Sequence, residues 1–448
     1  MARKWHMSMR GLLLLALVLS ASAQDQFIVR IGPGQIKRLA TQYGFTVGAQ
    51  LPDLGNNVYV ITAPANSGLG TALAAEPAVQ SVEPDQLIKL PKKSGLTQPA
   101  GGKFTGQSVV LGATPAPTPG YFLQPAAATI GLDAAHAIAT GAGTVAFLDT
   151  GVDFNNTILF WNLVPGTDLI SPGGGIGQDI STLDQSTTSI LDSDAMIELS
   201  QSTTSILDYS GGSTGAGQST TSILDQSTTS ILDDGSPLSN AYGHGTMVAG
   251  VIHMVAPTAM LMPVKVFGND GTANLSTLLE GFYWAMNHGA RVINMSFSMA
   301  ANSPEFQRAL QTASSMGIIS VASVGNDGQQ SVVYPAAYSN VIGVASTDNA
   351  GVRSSFSNYG SVVSLAAPGE EILTTFPGNR FAAGWGTSFS APMVSGAAAL
   401  LVQINGQLNL QTAANALLQA DPLGQGLGAG ELDLVKALQY ALGHGGNH

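Results

Sequence analysis

The sequence predicts an α/β fold, a doubly wound and mostly parallel sheet, preceded by a small α+β domain. Three observations predict it. Short apolar runs of strand length (VAFLD, MLMPVKV, RVINMSF, IISVAS, VIGVAS) alternate with helical stretches, the pattern of parallel strands joined by crossover helices. Polar reactive residues stand among glycines at the ends of several of these runs, where open parallel sheets build their sites. A separate set of strand and helix signals occupies the first part of the chain and is followed by a Pro/Gly-rich stretch.

Composition narrows the classes. The chain has 448 residues, 44% hydrophobic and only 10% charged; it is long enough for a large core and too apolar for a disordered protein. It has no cysteine, so neither disulfides nor thiolate chemistry contribute. Its seven histidines show no HExxH-type spacing, which argues against a zinc site. Charge is split unevenly: ten Lys/Arg and five Asp/Glu through Lys103, then six and 23. A basic front part and an acidic body attract each other. The body has no basic patch for nucleic acid.

The elements follow in order. Residues 1–23 read as a secretory signal peptide, with basic Arg3, Lys4 and Arg10, an apolar run Leu12–Leu19 and the small-residue site Ala21-Ser22-Ala23. The run is about half the ~20 residues a membrane span needs, and no later segment reads as a span, so no membrane partner is expected after signal cleavage. Residues 24–90 read as a small module: strand QFIVRIG, helix GQIKRLATQYG ended by Gly44, strand NNVYVITAP, a short helix, a strand over Val79–Val82 and a last extended piece. Residues 91–124 read as an exposed linker. From 125 to 448 the chain reads as one large domain, with GFYWAMNHG ending a helix at Gly289, SAPMVSGAAALLVQI a buried helix, and two amphipathic helices at the carboxyl end. The stretch at about 172–239 differs from the rest. It holds four copies of QSTTSILD, two in tandem over Gln218–Asp233, and lies in an interval from Asp153 to His244 without Lys or Arg. It reads as a low-complexity insertion in a surface loop, which a fold tolerates because closure entropy grows only logarithmically with length.

Three segments carry chemistry: VAFLDTGVD with Asp149 at a strand end, GHGTMVAG with His244 before an apolar helix, and GTSFSAPMVSG with Ser388 opening a helix. A serine hydroxyl needs a base to become a nucleophile, histidine is the usual base near neutral pH, and a carboxylate fixes the histidine tautomer. Ser388 at a helix start sits in a field that favours a nearby oxyanion. A fourth segment, Gly325-Asn326-Asp327-Gly328 after a strand, brings an amide, Asn326, that can donate to that oxyanion together with the Ser388 N–H.

With these four motifs, the strand VINMSFS and the segment YPAAYSNVIGVAST, the chain resembles the subtilisin-like serine proteases from about Gln124 to its carboxyl-terminal helices. The Asp–His–Ser chain order is the one established for subtilisin. The amino-terminal module resembles the family's inhibitor-type propeptide through QFIVRIG, NNVYVITAP and EPAVQSVEPDQ. The resemblance implies a subtilisin-type sheet and a secreted (extracellular or periplasmic) serine endopeptidase that acts on proteins or peptides. It implies catalytic Asp149, His244 and Ser388, oxyanion donor Asn326, and substrate contacts from Ser296, Phe297, Ser298 and Gly325. It also implies a zymogen whose propeptide is an intramolecular inhibitor removed by self-cleavage within Leu90–Pro125. A monomer without cofactor is expected. Calcium stays open, although the calcium-binding loop that many relatives carry after the histidine helix is absent here.

The chain departs from the pattern in places. His244 lies 95 positions after Asp149, the excess being the repeats. Met247 replaces a second histidine of the family motif. Phe389 follows the nucleophile, where Met is common, and its bulk is expected to narrow the cleft. Ser296-Phe297-Ser298 replaces Ser-Leu-Gly, so Ser298 is expected to restrict the pocket before the scissile bond. Asp327 hints at tolerance of basic side chains there. The rival from another class is a non-catalytic secreted binding protein on a protease fold, using the acidic repeat loop; an insertion that displaced His244 from Asp149 would favour it. An α/β-hydrolase esterase is disfavoured, because Ser388 lies in GTSFS rather than GxSxG.

Overall fold

A computed structural model describes residues 24–55, 57–90, 108–113, 119–170, 241–268, 270–424 and 426–444. The expected signal peptide, most of the expected linker and the repeat insertion lie outside the described residues. The chain divides into two compact units, one from Met1–Ala49 with Tyr59–Pro84, the other from Gln50–Val58 with Asp85–His448.

The smaller unit is a four-stranded sheet in the order β2-β3-β1-β4, with β1 Gln24–Ile31, β2 Thr46–Leu51, β3 Val58–Pro64 and β4 Val79–Pro84. β1 and β4 pair antiparallel. Helices α1 (Ile36–Tyr43) and α2 (Leu69–Ala74) bury Leu39, Leu69 and Leu73 against Val29, Ile31 and Ile61. Gly44 ends α1 at φ 70°, its N–H bonded to the Ala40 carbonyl, a left-handed cap glycine adopts at little cost. β2 leaves no trace in the hydrophobic pattern because it is exposed on both faces except at Leu51.

The larger unit is built on a seven-stranded sheet in the order β14-β13-β12-β11-β7-β9-β8, with every adjacent pair parallel. Its members are β7 Thr144–Asp149, β8 Thr167–Asp168, β9 Met260–Lys265, β11 Val292–Met295, β12 Ile319–Ser323, β13 Ile342–Thr347 and β14 Leu365–Pro368. Chain order reverses about β7: β9 lies on one side of it and β11 on the other. Asp149 therefore ends the strand at the topological switch, where open sheets leave a crevice.

Before the sheet come the short helices α3 (Pro119–Phe122), α4 (Pro125–Thr129) and α5 (Leu132–His136). The long ones are α6 His244–Val255, α7 Leu275–Asn287, α8 Pro304–Ser315, α9 Thr387–Ile404, α10 Leu410–Leu417 and α11 Leu434–His444. Val145 and Phe147 of β7 join α6 and α9 in one apolar cluster, while Ala146 and Leu148, on the alternate face, are equally buried. By length and composition α9 could cross a membrane; here Thr387 through Val402 are all buried in the core. Gly396 lets α6 approach, since a Cβ there would stand 2.6 Å from that of Val255. α8 has a local signal in its sequence: Ser303 accepts from the Phe306 N–H, with Pro304 in the first turn, the cap chemistry that starts a helix.

Parts of the expected linker are structured. β6 (Ser108–Ala113) pairs antiparallel with β16 (Arg380–Gly384), and β15 (Ile372–Phe376) takes the other edge of β16. Tyr121 is fully buried and its hydroxyl donates to the Gly250 carbonyl. The buried Gln124 amide accepts from Leu373 N at 2.9 Å and donates to Leu373 O at 2.8 Å, as a strand neighbour would. Pro and Gly content signals turns, and it says nothing about long-range partners. The helix expected to be capped by Gly289 runs to Asn287, with His288 as its C-cap and Gly289 at φ 85° just beyond.

One buried acid sets a pH dependence. Glu431 is 4% exposed; Thr347 Oγ1 donates to its Oε1 at 2.9 Å, and Oε2 has no partner among the described residues. Burial, opposed by the Thr347 hydrogen bond and reinforced by Asp348 and Asp421, pushes its carboxyl up to about 7. A carboxyl whose folded value lies above its unfolded one stabilises the fold fully below the unfolded value, and loses that contribution as pH rises through the folded one. The wild type is therefore expected to lose stability between about pH 4.5 and 7 through this group. Glu431→Gln should flatten that slope and raise the melting temperature at pH 8–9 relative to wild type, as calorimetry across pH would show.

Candidate active site

β7 delivers Asp149 and α6 begins with His244. The two side chains meet through a hydrogen bond of 2.8 Å between Asp149 Oδ1 and His244 Nδ1; Asp149 is 0% and His244 5% exposed. A carboxylate only accepts, so Nδ1 carries the proton and the neutral ring presents its lone pair at Nε2. The Asp149 Oδ1 also accepts from the Thr150 N–H at 2.8 Å, and Thr150 Oγ1 accepts from the Gly245 N–H at 3.0 Å. Gly245 permits the approach: a Cβ there would lie 2.0 Å from the Gly151 carbonyl oxygen.

Ser388 is the second residue of α9, fully buried. Helix entry runs through Gly386 at φ 143°, a backbone conformation that side chains rarely adopt. Phe389, expected to narrow the cleft, packs beside the histidine. Its ring is fully buried, lies 5.8 Å from the imidazole of His244 between centroids, and fills the space that a Cβ on Gly384 would need. It walls the histidine.

Pro392 sits inside α9. Having no N–H, it cannot satisfy the carbonyl four residues back, that of Ser388. Ser296 supplies the missing donor: its Oγ donates to the Ser388 carbonyl at 2.9 Å, while the Ser388 Oγ donates to the Ser296 carbonyl at 3.2 Å. Behind it, Asn294 Nδ2 donates to Ser296 Oγ, and Ser395 Oγ donates to Asn294 Oδ1, both at 2.9 Å. All four residues are fully buried.

Asn326 is oriented by its oxygen. Oδ1 accepts from the Thr387 N–H at 2.9 Å and from Thr387 Oγ1 at 2.7 Å. Nδ2 points toward the turn before the serine, 3.1 Å from where a Cβ on Gly386 would stand. The loop carrying it is braced by Asn358, whose Oδ1 accepts from Asp327 N and Gln329 N and whose Nδ2 donates to Val324 O.

The remaining expected contacts separate. Ser298 is half-buried, and its Oγ lies 3.5 Å from a Cβ position on Gly325, so these two residues face each other. The Phe297 ring is turned into the core, 5.4 Å from Phe267 and 6.4 Å from Phe306, which leaves only its backbone for a substrate. Thr150, Asn294, Asn358, Thr387 and Ser395 were not singled out from the sequence. Thr150 and Thr387 adjoin the DTG and GTS motifs; the others carry no local signal. Among the described residues no group of three or more His, Asp or Glu side chains is placed to hold a metal ion.

A parallel sheet with an Asp–His pair at its switch point and a serine opening the adjoining core helix is the architecture of the subtilisin-like class. The subtilase family profile matches residues 141–444, and the chain belongs to that family. It is 42% identical over 172 residues to Subtilisin BL of Lederbergia lenta, covering 36% of this chain and 64% of that protein. It is 37% identical over 221 residues to thermitase of Thermoactinomyces vulgaris, covering 47% and 79%. The fold also matches the crystal structure of fervidolysin from Fervidobacterium pennivorans, described as a keratinolytic enzyme related to subtilisin, with TM-score 0.65 and 21% identity over 93% of this chain and 61% of that one. The match thus spans just under two thirds of Subtilisin BL.

Ser296→Ala removes the donor to the Ser388 carbonyl without adding bulk. A buried acceptor left unsatisfied costs about 1–3 kcal/mol, so the variant should unfold at lower denaturant, with kcat reduced more than KM is raised. Unchanged denaturation and kinetics would show that the Ser388 carbonyl is satisfied in another way.

Proposed function

We propose that the chain is a secreted serine endopeptidase, made as a precursor whose amino-terminal module is its own intramolecular inhibitor. The observation that carries the reading is the buried 2.8 Å contact of Asp149 with His244, made across the repeat insertion, with the neighbour of Ser388 packed on the imidazole. A broken contact would have favoured the rival, non-catalytic reading, and here the contact is made.

In this reading Ser388 Oγ leaves its acceptor, the Ser296 carbonyl, and attacks the peptide carbonyl carbon as His244 Nε2 takes its proton. Asp149 holds the ring and stabilises the imidazolium. Asn326 Nδ2 and the Ser388 N–H donate to the oxyanion, a preorganised pair that needs no rearrangement during reaction. His244 then protonates the leaving amine, and water repeats the sequence on the acyl-enzyme. Every group used belongs to one chain, so neither a second subunit nor a cofactor is required by the mechanism.

The inhibitor part of the reading is supported by the extended piece after β4. β5 (Leu87–Lys89) pairs antiparallel with β10 (Thr272–Asn274), and the Leu90 N–H donates to the Gly271 carbonyl at 2.7 Å. A Cβ on Gly271 would touch both Leu90 and Ala241, and the Ala241 carbonyl accepts from the His244 N–H, so this piece lies beside the histidine turn. Asp85 accepts from the Ser276 N–H at 2.8 Å and Oγ at 2.6 Å, at the start of α7. An extended segment added to a sheet edge is how clefts hold peptides. Secretion is supported by the amino-terminal sequence pattern.

The test is intact mass and amino-terminal sequencing of wild type beside Ser388→Ala, with fluorophosphonate labelling of both. Wild type should label and lose its amino-terminal residues; the variant should do neither. Peptide hydrolysis should fall by roughly the 10⁶-fold seen when subtilisin itself loses its serine. An unlabelled wild type that keeps its full length would overturn the reading.

A further inference from the structure

α6 is held near both of its ends. Toward its carboxyl end α9 crosses it, where a Cβ on Gly396 would stand 2.6 Å from that of Val255. Val255 lies eleven positions after His244, roughly 16 Å along a helix that rises about 1.5 Å per residue. Over that length a tilt of about 3° at the crossing moves the amino end by about 1 Å. The amino end is gripped by the β15–β16 hairpin. Thr375 Oγ1 donates to the Thr246 carbonyl at 2.8 Å, and Thr374 Oγ1 donates to the Met247 carbonyl at 2.7 Å. Both threonines are fully buried. Consecutive residues of a strand point to opposite faces, so neighbouring hydroxyls reach one helix only where it lies along the strand edge. Gly250 permits that approach: a Cβ there would stand 2.2 Å from Thr374 Oγ1 and 2.4 Å from Thr375 Oγ1. The hairpin turn extends the grip. A Cβ on Gly243 would meet the Phe376 ring at 2.6 Å. The Gly378 N–H donates to the Asp153 carboxylate, and the Asp153 N–H donates to Thr246 Oγ1.

We propose that Thr374 and Thr375 are positioning residues that set the separation of His244 from Ser388. The proposal rests on the peptidase reading. One strand of the hairpin holds the first turns of α6. The other runs toward Ser388, with Gly384 four positions before it. The register between the two strands is fixed, Thr374 opposite Ala382 and Thr375 opposite Phe381. One pair of strands therefore carries the spacing of the base from the nucleophile. The Asp149 contact ties the imidazole to β7 and includes no part of the serine turn. Neither threonine hydroxyl bonds to His244 or Ser388; both act through the helix backbone, whose carbonyls accept them in addition to their intrahelical partners. A misplacement of about 1 Å can cost about 10²-fold in rate. Loss of one of the two braces, with the other left in place, should cost roughly tenfold.

The measurement uses protein produced from the full chain and allowed to mature. Thr374→Val and Thr375→Val each remove one hydroxyl and keep the branched shape. Thr374→Ser and Thr375→Ser keep the donor. With a peptide anilide as substrate, each Val variant should lower kcat by roughly tenfold while KM stays within about twofold. Fluorophosphonate labelling should slow in the same proportion, because it too needs His244 and Ser388 together. Binding of a peptide that ends at the cut bond, read as competitive inhibition, should not change. The Ser variants should recover most of the lost kcat. Unchanged kcat in both Val variants overturns the proposal. So does a fall in kcat matched by an equal loss of peptide binding, or a Ser variant no faster than its Val counterpart; either result marks the threonines as packing residues. A Val variant that does not fold makes that threonine a structural residue, and the proposal fails there. Wild type that neither hydrolyses the anilide nor labels is a different result, and overturns the peptidase reading.

Discussion

The site depends on one close backbone approach. Helix α6 can bring His244 within hydrogen-bonding distance of Asp149 only because Gly245 has no side chain to strike the Gly151 carbonyl, 2.0 Å from where a Cβ would be. The contact locks the first turn of a helix to the turn after a strand, and the Gly245 N–H to Thr150 bond fixes it. Both partners are buried, so the carboxylate finds its stabilisation in the imidazole and the Thr150 N–H instead of in water. Everything beyond is arranged around that pair. α9 crosses α6 at Gly396, and its first turn carries Ser388 to the same end of the sheet.

A second device repeats itself across the site: each reactive group is oriented by a partner that uses up the atoms not needed for chemistry. Asn326 spends its oxygen on Thr387, which leaves Nδ2 directed at the turn before the serine. The Ser388 carbonyl, abandoned by the helix because of Pro392, is taken by Ser296. Phe389 closes one side of the imidazole. These are buried polar groups in a low-dielectric core, where a missing partner costs more than at the surface. The Ser395–Asn294–Ser296 chain meets that demand with hydrogen bonds of 2.9 Å throughout.

Two extended segments upstream of the body are paired with sheet edges of the larger unit. β5 and β6 both lie upstream of the body in sequence, both are extended, and both complete sheet edges near the catalytic elements. In each case the contact is made by main-chain groups, which any sequence carries. The Pro/Gly-rich character of the surrounding stretch therefore coexists with ordered pairing over Ser108–Ala113.

The sequence by itself determined the alternation of strands and helices in the body and singled out Asp149, His244, Asn326 and Ser388 as candidates, because periodicity and glycine-flanked polar residues are local signals. It also marked the insertion, through composition alone. It was silent on β2, whose residues are exposed, on the strand-forming part of the linker, and on Asn294, Asn358 and Ser395, which no pattern sets apart from ordinary polar residues. It left open where the rings of Phe389 and Phe297 point, because whether a large apolar side chain faces a cleft or a core depends on what lies across from it. Only the tertiary structure decided those questions: the space left by Gly384 receives Phe389, Phe267 and Phe306 receive Phe297, and the carbonyl left open by Pro392 gives Ser296 its place beside Ser388. Each is set by contacts between residues far apart in the chain, where a local reading has no access.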